Sequence, residues 1–77
     1  MSTPMLDGKT VGIVIMEFRK RKGLSQEVMS GLAGIDRTHL SAIEHGNRKP
    51  TLETFYRLCY ALDVSMETVI REIENRL

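Results

Sequence analysis

The sequence predicts a compact all-α domain of five short helices. Apolar residues recur at spacings of three and four along five separate segments, and each inner segment is closed by glycine or a short polar turn. No run alternates apolar with polar residues, so strands are not expected. Helices joined by turns this short must share a single core.

Residues 1–8, with Pro4, Gly8 and no period, read as a mobile N-terminal arm, leaving 9–77 as the domain. From Thr10 to Lys22, Val11, Val14, Ile15 and Phe18 trace one helical face, and Gly23 supplies the stop. Ser25 offers a hydroxyl cap to a second helix carrying Val28, Met29, Leu32 and Ala33, which Gly34 ends. Asp36 is placed to cap a third helix, whose inward residues are Leu40 and Ile43 and whose end is Gly46. After the polar turn Asn47 to Pro50, Thr51 caps a fourth helix with the stripe Leu52, Phe55, Leu58, Cys59 and Leu62. Asp63 and Val64 then lead to Ser65, the expected cap of a fifth helix.

A chain of 77 residues has room for one domain and buries only about 60% of its unfolded surface, so association would help it. Its single cysteine, Cys59, can form neither an internal disulfide nor a four-cysteine zinc site. The longest early apolar stretch, Val11 to Met16, is too short to cross a bilayer, and a cytoplasmic location is expected. The net charge of +1 conceals an asymmetry: residues 1–50 carry eight Lys/Arg against five Asp/Glu, and residues 51–77 carry three against five. A basic front suits a polyanion and an acidic back suits protein.

Helices 2 and 3, joined by a tight turn containing Gly34, make a helix-turn-helix pattern, and the second helix presents small polar and basic side chains. The surrounding run is more specific: Arg19-Lys20-Arg21-Lys22-Gly23-Leu24-Ser25-Gln26-Glu27, then Leu32 through Ser41, then Ile43-Glu44-His45-Gly46 and Pro50 through Thr54. It resembles the lambda-repressor/Cro-like helix-turn-helix family over about residues 11–69, nearly the whole chain.

That resemblance implies roles for individual residues. Gln26, at the start of helix 2, would bind a DNA phosphate. Arg37, Thr38, His39, Ser41 and Ala42 would read bases from the exposed side of helix 3: Arg37 suits guanine O6 and N7, and Ala42 suits a thymine methyl. Ala42 stands where the family usually has a polar residue, so packing on a thymine methyl and simple close approach are both open to it. His45, Asn47, Arg48 and Lys49 would follow the sugar-phosphate chain. Arg19 would pair with Glu44 and tie helix 1 to helix 3, while Lys20, Arg21 and Lys22 form a mainly solvated face. His39 and His45 lie six residues apart on different helical faces with no cysteine nearby, so no metal is expected. Cys59 reads as a small buried hydrophobe.

In helix 5, Met66, Val69, Ile70, Ile73 and Leu77 form an apolar seam flanked by charge. Part of it can close the core; the rest, with Tyr56 and Tyr60 of helix 4, is the expected homodimer interface. Two copies would place their reading helices about 34 Å apart on a palindromic operator.

The expected function is a sequence-specific regulator of transcription that binds double-stranded DNA as a homodimer, resembling the controller proteins of restriction-modification systems, with RNA polymerase as a further candidate partner. The competing reading is an antitoxin-like interaction module, supported by Ile13 and Met16 on helix 1, where the family usually carries charge. No glycine-rich phosphate loop, ligand cluster or Ser/His/Asp set points to an enzyme. No cofactor, small-molecule ligand or membrane is expected.

Overall fold

A computed structural model describes residues 2–77 and contains α1 (Gly8–Arg21), α2 (Gln26–Ala33), α3 (Arg37–Glu44), α4 (Leu52–Leu62) and α5 (Met66–Asn75). Among the described residues there is no strand, and no helix is long and apolar enough to cross a membrane. Met1, the first residue of the expected arm, lies outside the described residues.

The first helix starts earlier than the composition suggests, and Gly8 belongs to it rather than to the arm. Asp7 is the reason. Its carboxylate accepts the Lys9 N–H at 3.1 Å and the Thr10 hydroxyl at 2.9 Å, satisfying free donors of the first turn. Ser25, Thr51 and Ser65 cap α2, α4 and α5 as their sequence positions predict, each oxygen accepting an N–H three residues on. Asp36 has the backbone geometry of a cap, but its side chain accepts no bond from α3.

One core is shared by all five helices: Val11, Val14, Ile15 and Phe18 from α1 meet Met29, Leu40, Ile43, Phe55, Leu58, Cys59, Leu62, Val69 and Ile73. Three expected stripe residues point elsewhere. Val28 and Leu32 are about half exposed and Leu52 is 73% exposed. Packing of α2 against α4 turns Met29, Ser30 and Ala33 inward, and residues one position earlier fall about 100° around the helix. Leu52, in the first turn of α4, projects past the edge of the core.

Two features fix α3 against α1. At Gly12, a side chain would bring a Cβ within 2.6 Å of the Glu44 carbonyl oxygen, so the two helices meet backbone to backbone. Further along, Arg19 bridges to Glu44. Between α2 and α3 the chain reverses at Gly34, whose φ of 71° lies in the left-handed region that favours glycine. The Ile35 N–H returns to the Ser30 carbonyl at 3.0 Å and closes the helix end.

Helix α5 corrects the seam expected from sequence. Val69 and Ile73 are 0% and 5% exposed within the single chain, so they belong to the core and are not available to a second copy. They face α1 and α4, and burying them is what attaches a ten-residue helix to a small domain. Its far end is tied down separately: Arg76 donates to both oxygens of Glu17 on α1, at 2.6 and 3.1 Å, and to Glu72 at 2.9 Å.

Candidate nucleic-acid interface

Helix α3 owes its orientation to three buried residues, Leu40, Ile43 and Glu44, which occupy one side of it. The opposite side therefore carries Thr38, Ala42 and His45, with Ser41 and then Arg37 on the flank that leads back to Glu44. Arg37, Thr38 and His45 are exposed; Ser41 and Ala42 are half-buried because small side chains stay close to the helix surface. His39 is half-buried at the edge of this stripe. With its side chains an α-helix is about 10–12 Å across, which fits the B-DNA major groove, about 12 Å wide.

Groups suited to phosphate stand at both ends of this rod. At its start, Gln26 opens α2 beside Arg37, whose Nη1 donates to the Gln26 Oε1 over a long 3.4 Å. At its end, His45 gives its Nδ1–H to the Ser41 carbonyl at 2.7 Å; a carbonyl only accepts, so this bond fixes the ring and leaves Nε2 for an outside partner. Asn47, Arg48 and Lys49 follow, all exposed. Lys9, which has no counterpart among the residues expected from sequence, belongs here too, because Gly46 packs directly on its backbone. Lys49 donates to the Leu6 carbonyl at 3.0 Å, tying the arm to this end of the surface.

Beneath the surface lies the pair assigned to architecture. Arg19 Nε donates to Glu44 Oε2 at 2.7 Å and Nη2 to Oε1 at 2.9 Å, a two-bond fork, while Nη1 reaches the Leu24 carbonyl at 2.9 Å. The two side chains are 11% and 1% exposed. The carboxylate bond raises the Arg19 guanidinium above its already high range, against the opposing effect of burial. Glu44 Oε1 accepts a further bond, from Gln26 Nε2 at 2.9 Å. Sequence spacing carried no signal for this third partner, since Gln26 and Glu44 are 18 residues apart.

Of the basic run in α1, Arg21 lies over the Phe18 ring at 4.4 Å, and Lys20 and Lys22 are exposed. Cys59 is 1% exposed, and burial pushes its thiol up to about 11, in keeping with a packing role.

The residues expected at a dimer interface divide. Tyr56, Tyr60 and Met66 line an open groove of about 590 Å³ with Leu32. Ile70 lines a second of about 210 Å³, near the opposite end of α4, with Leu6, Leu52 and Phe55. Leu77 is exposed beyond α5. The apolar surface thus follows the α4–α5 seam, and Leu6, Leu32 and Leu52 extend it beyond what the period of α5 alone indicates. Ile13 is exposed and Met16 half-buried on α1, away from the core.

Comparison with known proteins agrees with this architecture. A helix-turn-helix family profile matches residues 15–69. The "ImmF control region 10 kDa protein" of Bacillus phage phi105 is 37% identical over 65 residues, 84% of this chain and 72% of that one. An uncharacterized HTH-type transcriptional regulator, y4dJ of Sinorhizobium fredii, is 42% identical over 57 residues, 74% of each chain. Among solved structures, the restriction-modification controller protein C.AhdI from Aeromonas hydrophila superposes with a TM-score of 0.78 at 35% identity, over 90% of this chain and 98% of that one. Wild-type controller C.Esp1396I gives 0.84 at 26% identity, over 94% and 92%. With α2 and α3 in a helix-turn-helix arrangement and the match spanning most of the sequence, the chain belongs to the lambda-repressor/Cro-like helix-turn-helix family.

Proposed function

We propose that this protein is a transcriptional regulator that binds a palindromic operator in double-stranded DNA as a homodimer. The observation that carries the reading is the surface that α3 leaves uncovered: Arg37, Thr38, Ser41, Ala42 and His45 lie along one rigid rod, with phosphate-suited groups at both of its ends. In this assignment Arg37, Thr38, His39, Ser41 and Ala42 meet base edges, while Gln26, His45, Asn47, Arg48 and Lys49 hold the backbone. Residues 9–77 act as one unit in which α5 completes the core and contributes to dimerisation.

The dimer draws support from the exposed Tyr56, Tyr60, Ile70 and Leu77 beside half-buried Met66, an apolar surface that a small domain gains by covering. Similarity to two restriction-modification controllers supports a regulator of this type; occupancy that follows its own concentration, action in the cytoplasm and contact with RNA polymerase at the promoter complete the proposal.

Selection of bound sites from random duplex DNA at fixed salt tests the reading. Two inverted half-sites about one helical turn apart are expected. Enrichment of a lone half-site would count against the dimer, and no enrichment would count against sequence recognition altogether.

A further inference from the structure

We infer that Leu6 is a positioning residue for Lys49: its main-chain carbonyl holds the Lys49 ammonium beyond the end of α3, ready for a DNA phosphate, and its side chain anchors that carbonyl to the domain. The inference rests on the DNA-binding reading above and gives the arm, expected from sequence to be mobile, a part in it.

Two stretches of chain, 43 positions apart, meet where Lys49 Nζ donates to the Leu6 carbonyl at 3.0 Å. Beside that bond the chain from Leu6 to Lys9 lies against the turn from Gly46 to Lys49. A Cβ on Gly8 would stand 3.1 Å from the Gly46 carbonyl oxygen and 3.4 Å from Lys49 Cγ, and one on Gly46 would stand 2.8 Å from Lys9 Cα. Glycine at both positions lets the two backbones close, and Lys49 lies along the arm as a result.

The carbonyl is itself held from both sides. The Leu6 side chain, about half exposed, lines an apolar groove with Val11, Pro50, Leu52, Phe55 and Ile70. Next in the chain, Asp7 is fixed as the cap of α1: its carboxylate takes the Lys9 N–H and the Thr10 hydroxyl, and its carbonyl takes the Val11 N–H at 3.1 Å.

The chemistry of the partner decides what the bond does. An ammonium has three donors, so one used on Leu6 leaves the others for phosphate oxygens. A carbonyl is neutral, so the lysine keeps its full attraction for a polyanion, which a carboxylate partner would cancel. Among the described residues Lys49 is in no ion pair. The bond therefore removes rotamers from a long, flexible side chain before DNA arrives and leaves its charge intact.

Binding isotherms on the selected operator and on random duplex DNA, at several salt concentrations, test this for wild type, Leu6→Ser, Lys49→Ala and the double variant, with thermal midpoints recorded. Two controls accompany them: Leu6→Met, which keeps an apolar anchor, and Met5→Ser, the neighbouring side chain, which is 83% exposed. Leu6→Ser is expected to weaken binding to both DNAs about threefold, the scale of ordering one long side chain, with the salt slope unchanged because the charge remains. That loss should vanish in the Lys49→Ala background, and both controls should bind as wild type does. Equal losses with and without Lys49 would overturn the positioning role, and so would unchanged binding of Leu6→Ser or a control that loses as much. Should Leu6→Ser melt below the binding temperature, Leu6→Ala is read in its place by the same criteria. A wild-type protein without affinity for duplex DNA would overturn the DNA-binding reading itself, whereas wild-type affinity with additive losses would overturn the positioning alone.

Discussion

Gly12 of α1 lies against the main-chain carbonyl of Ile43 in α3, with no room between them for a side chain. This close approach sets how α3 seats on the rest of the domain, and neither backbone can yield without moving a helix. Gly12→Ala is expected to destabilise the fold by about 2–3 kcal/mol, seen as a lower urea midpoint. Gly31→Ala is the matched control: a Cβ there meets nothing within 4 Å, and alanine should gain about 0.5–1 kcal/mol through helix propensity. Equal effects of the two substitutions would contradict the tight crossing.

The Arg19–Glu44 fork makes a second prediction. Removing one partner leaves the other charge buried and unpaired, so Arg19→Met should cost about 3 kcal/mol in urea unfolding. Replacing both, in Arg19→Met with Glu44→Leu, removes both charges, and the double variant should be more stable than the sum of the single losses implies. Strict additivity would show that the two side chains do not act as a pair.

On DNA, base readers and phosphate binders should separate. Arg37→Ala is expected to relax choice at one base pair per half-site, with a loss of about 1–3 kcal/mol on the operator. Lys49→Ala should weaken operator and random DNA alike and reduce the salt slope by about 1, the share of a single neutralised phosphate. If both variants bound both DNAs with equally reduced affinity, the division of roles along α3 would be wrong.

Acid should loosen α5. The Arg76 guanidinium holds the Glu17 carboxyl below its ordinary value of 4.5, and the reciprocal bond raises Arg76. A carboxyl depressed in the folded state stabilises it above the unfolded value, and that contribution disappears as pH falls through the lower folded value. Wild-type stability should therefore decline as pH drops below about 4.5, and Glu17→Gln should remove part of the decline while already being less stable at pH 7. Urea midpoints across that range would decide it; identical profiles would mean the pair is without thermodynamic consequence.

Cys59 offers a probe of the core. With the thiol 1% exposed and raised to about 11, a thiol reagent near pH 8 should label it only as fast as the protein opens. Rapid labelling of the folded protein would show that the α4 core is less closed than the structure has it.

The local facts of this protein were legible in its sequence because they depend on neighbours in the chain. Helix periods, the stops at Gly23, Gly34 and Gly46, and the caps Ser25, Thr51 and Ser65 are all set within four residues. The outward placing of Thr38, Ala42 and His45 follows from Leu40 and Ile43 alone, since burying one side of a helix exposes the other. The pairing of Arg19 with Glu44 was available only through resemblance to a family. What the tertiary structure decided involves residues distant in sequence: that Val69 and Ile73 are consumed by the core, that Arg76 reaches Glu17 across 59 positions, that Leu32 and Leu52 join the exposed seam, and that Gln26 sits between Glu44 and Arg37. Apolar spacing defines a stripe on each helix, but how far that stripe is rotated toward its neighbours depends on how all five pack at once. No single segment contains that information.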